Sequence, residues 1–275
     1  MRLNHNLSSL SIYREYEKNI TKNSKALSRI SSGEKITKAG DSPNGIAKSE
    51  RMRIQIRSMQ MAQRNLQDGV SMLQTADGAL NSLNSITGRI RELVIQSGGA
   101  TSEDDKLQIK GEIDQMIQGY EDVVNNTEFN GVKLLNSNGH LLTQMDANVG
   151  DTANIPLMDL SPDGNLSNIN ALDINSNDFI DKALNIVDEV SSNIVDLRSK
   201  YGAMTNLFEG ELDSLSEFEI SVTGSESRIR DADMAEEMME FSRTGLLIEA
   251  GNAMMAQSNK FPQDVLRILE NVRSR

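Results

Sequence analysis

The sequence predicts a mainly α-helical protein: a long antiparallel helical bundle or coiled coil formed by N- and C-terminal arms, with a small β-hairpin region in the middle. Three observations carry this. A heptad seam runs through the first third of the chain, with Met52, Met59, Leu66, Leu73, Leu80, Thr87 and Val94 recurring every seven residues. Ala62, Ala76, Leu83 and Ile90 fill the complementary positions, a pattern that signals coiled-coil packing. The composition suits long helices, with four prolines, no Trp and 4% aromatics in 275 residues. Finally, the stretch from Phe129 to Ser176 turns rich in Asn, Asp, Gly and Ser, which breaks helical periodicity.

A first helix is expected over about Asn4 to Ser32, with Leu3, Leu7, Leu10, Ile20, Leu27 and Ile30 at helical spacing. Gly33 fits its C-cap, because glycine enters the left-handed conformation cheaply. Glu34 to Asp41 reads as a linker. Ser42-Pro43 then forms an N-cap followed by proline at the first helical position.

The second helix, about Asn44 to Ser97, would be roughly 80 Å long at 1.5 Å per residue. Gly98-Gly99 should end it and reverse the chain. A third helix follows over about Glu103 to Asn125, with Ile109, Ile113, Met116, Tyr120 and Val123 as its stripe and Asn130-Gly131 closing the segment. It should pack antiparallel to the second.

Leu141 to Val149 and Ala153 to Leu160 alternate weakly around Gly150-Asp151, which reads as a short hairpin. Pro162 to Ser176 reads as loop. Helical periodicity resumes near Asp178 with Ala183, Ile186, Val190, Ile194, Leu197, Tyr201, Met204, Phe208, Leu212 and Leu215. It continues to Leu269, with a weak point at Gly224 and a kink or interruption at Pro262.

Composition excludes several kinds of chemistry. There is no Cys and there are only two histidines, His5 and His140, so thiolate nucleophiles, Cys-based zinc sites and paired-His helical metal sites are absent. No nucleophile–base constellation or glycine-rich phosphate loop occurs, so an enzyme is not expected, and neither is a cofactor. The net charge of −12 opposes general nucleic-acid binding. No apolar run reaches the roughly 18 residues that span a bilayer. The N-terminal MRLNHNLSSL lacks the apolar stretch and cleavage site of a secretory signal peptide, so export would not use a cleaved signal of that kind.

Charge is uneven along the chain. Residues 1–67 hold 13 Lys+Arg against 5 Asp+Glu, and the remainder holds 15 against 35. This reads either as a solvated gradient or as attraction between opposite ends of the chain or of neighbouring copies. The first helix and the last 40 residues carry thin apolar stripes. Ordering backbone costs about 1–2 kcal/mol per residue, so such a pair alone is marginal. Both termini should therefore order only when many copies pack together. An intramolecular bundle with ordinary termini fits the same pattern.

Several segments together resemble bacterial flagellins over nearly the whole chain. They include Arg29-Ile30-Ser31-Ser32-Gly33, Arg64-Asn65-Leu66-Gln67-Asp68-Gly69-Val70-Ser71 and Gln74-Thr75-Ala76-Asp77-Gly78-Ala79-Leu80-Asn81. Arg89 to Gln96, Phe129-Asn130-Gly131 and Leu134-Leu135 continue the likeness. Near the other end stand Ser227-Arg228-Ile229-Arg230-Asp231-Ala232-Asp233-Met234-Ala235, then Ala256-Gln257-Ser258-Asn259 and Pro262-Gln263-Asp264-Val265-Leu266. Asp41-Ser42-Pro43-Asn44-Gly45 departs from the family's D-D-A-A-G, and Asn206-Leu207-Phe208-Glu209 from its Q-N-R-L. A hook–filament junction protein has similar termini, but the segment from Ser227 and the ending at Pro262 favour a flagellin proper. A chemoreceptor-like helical rod would need a membrane anchor or a sustained hairpin tip, and neither is seen.

The resemblance implies a short flagellin with a minimal variable middle and no metallopeptidase insert. Residues 1–42 and 234–275 would form an inner-core coiled coil, 43–130 and 178–233 a helical rod, and 131–177 a short hairpin and variable loop. It implies a subunit that leaves the cell unfolded through the flagellar type III apparatus and polymerises into the extracellular filament, the propeller for swimming. Expected partners are other copies of the chain, an export chaperone on the C-terminal region, the filament cap and the hook–filament junction proteins. Arg89, Leu93 and Glu112 match the surface read by the Toll-like flagellin receptor, although Gly88 stands where the family commonly has Gln. Ser137, Thr143, Thr152, Ser161 and Ser167 are candidates for O-linked glycans.

Overall fold

The structure, a computed structural model, describes residues 6–99, 102–148, 150–161 and 179–273. Five helices and four short strands occur among them: α1 (Leu7–Ser32), α2 (Pro43–Gly99), α3 (Glu103–Asn126), β1 (Glu128–Phe129), β2 (Val132–Lys133), β3 (Gly139–Gln144), β4 (Thr152–Leu157), α4 (Phe179–Arg230) and α5 (Met234–Arg273). The chain divides into two units. One comprises Met1–Ile54 with Ser221–Arg275, the other Gln55–Ile220.

The larger, central unit holds the apolar core. The heptad positions of α2 face inward: Met59, Ala62, Leu66, Leu73, Ala76, Leu80, Leu83, Ile90 and Val94 are all buried. Thr87 occupies one seam position without cost because its hydroxyl donates to Leu83 O at 2.8 Å, satisfying the buried polar group inside its own helix. Gly69 sits where a side chain would collide. A Cβ there would stand 2.8 Å from Phe208 Cε2, so the glycine lets the Phe208 ring of α4 lie directly on the α2 backbone.

The inward stripe of α3 is Ile109, Ile113, Ile117, Tyr120 and Val124. Met116 and Val123, expected there, are only half-buried. Both lines advance by steps of three and four residues, so spacing alone does not choose between them, and packing puts Ile117 and Val124 on the inward side. The same correction applies in α4, where Val187 is buried in place of Ile186, and Met204 and Leu212 lie at the margin.

The predicted hairpin is present in the middle of the chain, with shifted ends. β3 and β4 pair antiparallel from Gly139↔Leu157 to Gln144↔Thr152. Alternation puts Ala153 and Ile155 inside. The Gln144 side-chain amide donates to the carbonyls of Asp146 and Asn148, at 2.9 and 2.7 Å, and so supports the reversal. Tyr201 of α4 donates its hydroxyl to Pro156 O at 3.0 Å, tying the hairpin to the helices. Burial pushes the Tyr201 phenol up to about 12 and raises that of Tyr120 further.

A second hairpin was not expected. Asn130-Gly131 does not merely close α3. Its φ values of 51° and 80° form the tight turn that joins β1 to β2, the usual role of an Asn-Gly pair between strands. The loop expected over Pro162 to Ser176 lies outside the described residues.

The C-terminal helical stretch also differs from expectation. Gly224 does not break it, and α4 runs continuously to Arg230. The break falls instead at Asp231–Asp233, where the Asp233 carboxylate accepts from Ala235 N at 2.9 Å and Glu236 N at 3.3 Å. That N-cap starts α5 as a new helix. Pro262 stays inside α5 without interrupting it.

Candidate assembly interface

The unit built from the chain ends is organised around the pairing of α1 with α5. α1 begins at Asn6, whose side-chain oxygen accepts from Ser9 N at 3.1 Å. It ends at Gly33, left-handed at φ 71°, whose N–H donates to Arg29 O at 2.8 Å. Glu236 and Glu237 sit in the first turn of α5, where the helix dipole favours negative charge. Glu237 also pairs with Arg29 at 2.9 Å.

Beside this pair the chain is tied by backbone and charge. Lys35 N donates to Arg230 O at 2.6 Å and Ala232 N to Gly33 O at 2.9 Å. Arg230, its side chain only 12% exposed, lies 3.1 Å from Glu34 and 2.9 Å from Glu50. Its Nε contact with Glu34 is an ion pair rather than an aligned hydrogen bond. The hydrogen bond to Glu50, above all, holds the guanidinium pKa above its ordinary value. Arg53 bridges Glu34 and Glu226, and Ser49 donates to Glu226 at 2.9 Å. The Ser227-to-Met234 segment thus supplies a polar clasp, a role the sequence alone did not suggest.

The apolar surface of this unit is largely unused. Among the described residues of α1 and α5 only Ala26 and Thr244 are buried. Tyr13, Ile20 and Leu27 stand seven residues apart on α1 and are all exposed. Leu247, Met254 and Phe261 form a matching column on α5, and Met239 and Leu246 (69% exposed) a further one. These columns flank the seam between the helices at heptad spacing, which is the arrangement for packing against additional helices. Fully burying one such side chain contributes about 1.5–3 kcal/mol. Exposed apolar residues grouped in columns like these suit an association site.

The positions singled out by resemblance fall in the central unit. Arg89 and Glu112 are brought together at 2.9 Å, and Arg89 also bonds Glu92 at 2.9 Å. Leu93 is not beside them on the surface. It is fully buried, because the α2 face that meets the core is wide enough to take in both Leu93 and Val94. Of the glycan candidates, Thr152 is exposed. Thr143 and Ser161 are half-buried, Ser137 donates its hydroxyl to Lys133 O at 3.0 Å, and Ser167 lies outside the described residues. No group of three or more metal-ligating side chains occurs among the described residues. No helix there is long and apolar enough to cross a membrane.

Comparison with known proteins gives this surface its context. The family model described as the bacterial flagellin N-terminal helical region matches residues 3–140, and that of the C-terminal helical region matches 184–269. The chain is 39% identical to a flagellin of Halalkalibacterium halodurans and 36% identical to a flagellin of Bacillus subtilis, covering 98% of this chain and 100% of each relative. It is 31% identical, at the same coverage, to the flagellar filament 31.3 kDa core protein of Treponema maltophilum. A flagellin crystal structure from Bacillus cereus shares the fold, with TM-score 0.50 and 24% identity over 55% of this chain and 88% of that one. So does a putative flagellar hook-associated protein from Vibrio parahaemolyticus, with TM-score 0.62 and 16% identity over 70% of this chain and all of that one. Flagellins are structural proteins of the extracellular flagellar filament and not enzymes. With both terminal regions matched and full-length relatives above 30% identity, this chain belongs to the bacterial flagellin family.

Proposed function

We infer that the chain polymerises through its terminal unit, with residues 1–42 and 234–275 forming an inner-core coiled coil. Residues 43–130 and 178–233 form the helical rod, and 131–177 the short hairpin and variable loop. The observation that carries this reading is the pair of exposed apolar columns on α1 and α5. A two-helix pair that buries two side chains among its described residues cannot offset the ordering of helices of 26 and 40 residues, at about 1–2 kcal/mol per residue. Packing many copies together can. Limited proteolysis of soluble chain and filament tests it directly. Residues 1–40 and 234–275 should be cut in the soluble chain and protected in the filament, and ends resistant in both would overturn the reading.

Export unfolded through the flagellar type III apparatus is consistent with the same marginal termini, since the terminal unit, which folds only on assembly, presents little barrier to threading. The exposed Leu and Met side chains of α5 suit an export chaperone that takes an amphipathic helix into a groove. At the growing end the filament cap, and at the base the hook–filament junction proteins, would meet the same terminal helices. Deleting residues 234–275 should abolish chaperone binding, and retained binding would move that site elsewhere.

For the Toll-like flagellin receptor, Arg89 with Glu112 is the surface we assign, and Leu93 acts only by holding α2 in place. Arg89→Ala monomer should signal about tenfold more weakly in a receptor-reporter assay, as for loss of an interfacial arginine. Unchanged signalling would remove Arg89. Among the described glycan candidates Thr152 is the most accessible, and an intact mass equal to the sequence mass would eliminate all of them.

A further inference from the structure

The α1–α5 pair has little apolar surface with which to choose its alignment. Only Ala26 and Thr244 are buried along the described parts of the two helices. Sliding one helix by a heptad would therefore give up little full burial, the other seam side chains being half-buried at most. Two polar contacts are not indifferent to such a slide. Asn6 Nδ2 donates to Ser258 O at 3.0 Å and reaches Ser258 Oγ at 3.1 Å and Asn259 Oδ1 at 3.3 Å. Asn23 Nδ2 donates to Phe241 O at 3.0 Å and to Thr244 Oγ1 at 2.9 Å. Asn6 to Asn23 and Phe241 to Ser258 are the same 17-residue spacing run in opposite directions, so both contacts describe one antiparallel register.

The Ser258 carbonyl is unlike its neighbours. A helical carbonyl accepts from the N–H four residues on, and here that residue is Pro262, which has none. Left alone, it would be a half-buried acceptor without a helical donor. Asn6 supplies the missing donor while its own oxygen caps α1 through Ser9 N. A one-heptad slip would carry Asn6 to Gly251, whose carbonyl lies within the regular helix, and would strand Ser258 O. This also explains why Pro262 does not interrupt α5.

We propose that Asn6 and Asn23 are register-setting residues, which select a single alignment of α1 on α5, and that Pro262 creates the acceptor that makes the first of them specific. A single asparagine at a helix seam sets register in this way in coiled coils generally. The consequence for the filament rests on the reading that the terminal unit is the assembly surface. Only in one alignment do the exposed columns of α1 and α5 come to fixed relative heights for a neighbouring copy.

The chain has no cysteine, so engineered disulfides report register without background. A Cβ on Gly251 would stand 3.9 Å from Tyr16 Cβ, inside the span of about 3.5–4.5 Å that a disulfide bridges. Tyr16→Cys with Gly251→Cys therefore reports the observed alignment, and Ser9→Cys with Gly251→Cys reports a one-heptad slip. Both are oxidised with oxidised glutathione in soluble chain and in pelleted filament, and the cross-linked fraction is measured. The observed pair should cross-link about tenfold more than the slipped pair; adding Asn6→Leu and Asn23→Leu should bring the two within about threefold, as for a seam stripped of its polar gauge. Pro262→Ala restores a donor to Ser258 O, so it should raise the slipped product by itself, and Asn6→Leu should add little to it. Unchanged preference for the observed pair in the leucine variant would overturn the proposal. Loss of both products would do the same, because it would make the asparagines an adhesive rather than a gauge. Failure of the unaltered chain to form filaments would strike the assembly reading alone, since oxidation also traps the transient pairing of α1 with α5 in soluble chain.

Discussion

A chain carrying Leu247→Glu and Phe261→Glu is expected to stay soluble where the unaltered chain forms filaments. Both side chains are exposed on α5, at 45% and 65%, so the substitutions cost the isolated chain little. In a polymer that buries this column, each would lose about 1.5–3 kcal/mol of apolar burial and add the cost of desolvating a carboxylate. At 1.4 kcal/mol per tenfold, the concentration needed for assembly should rise at least about a hundredfold. Sedimentation with electron microscopy of the pellet measures it. Unchanged urea unfolding of the central unit serves as the control. Filaments forming at the ordinary concentration would show that the column is not an assembly contact.

Phe208→Ala should have the largest effect on the central unit. Its ring is fully buried and lies on the glycine of α2 that leaves room for it. Truncating a buried Phe costs about 3–5 kcal/mol, and here the cavity would open against backbone that cannot follow. Gly69→Ala approaches the same contact from the other side. The new methyl would meet the ring at 2.8 Å, and overpacking of this kind costs about 1–3 kcal/mol. Denaturant unfolding followed by circular dichroism reads both. A midpoint for Phe208→Ala within error of the unaltered chain would mean that the ring contributes nothing to the core.

The two predictions separate the two units. Phe208 and Gly69 lie in a core that holds together within one chain, with Leu66, Leu80, Leu83 and Ile90 buried around the same seam. Leu247 and Phe261 lie on helices whose apolar side chains are still in water. Ion pairs along the central unit, such as Arg198 with Asp77 at 2.8 Å and Arg91 with Asp188 at 3.2 Å, are half-buried at most and, screened by solvent, worth about 0–1 kcal/mol. They shape alignment more than stability. On the proposed reading, polymerisation draws on the other unit, where burial is still to be gained.

Much of this was legible in the residues. The α2 heptad ran true from Met59 to Val94 because a long helix with one apolar seam admits a single inward face. The hairpin around Gly150 was legible from alternation, while Asn130-Gly131 reads in sequence only as a helix stop. The strands it joins are two residues each, too short to show a period. Gly224 misled because glycine weakens a helix by only about 1 kcal/mol, which neighbouring turns absorb. The interruption expected at Pro262 is absent because the cost of a proline depends on whether something else bonds the carbonyl it frees. That something, Asn6, lies at the other end of the chain.

By itself the sequence determined the helical class, the seam of α2, the hairpin in the middle and the family, because each rests on short-range periodicity or on motifs read in order. Only the tertiary structure decided that Leu93 points inward, that the break before α5 falls at Asp231–Asp233, and which apolar residues of the terminal helices remain outside their pairing. The physical reason is that a 3.5-residue repeat specifies a stripe but not its occupant. Whether Tyr13, Ile20 and Leu27 meet α5 or water depends on how two helices roll against each other. That roll is set by contacts between residues more than 200 positions apart, such as Asn23 with Phe241.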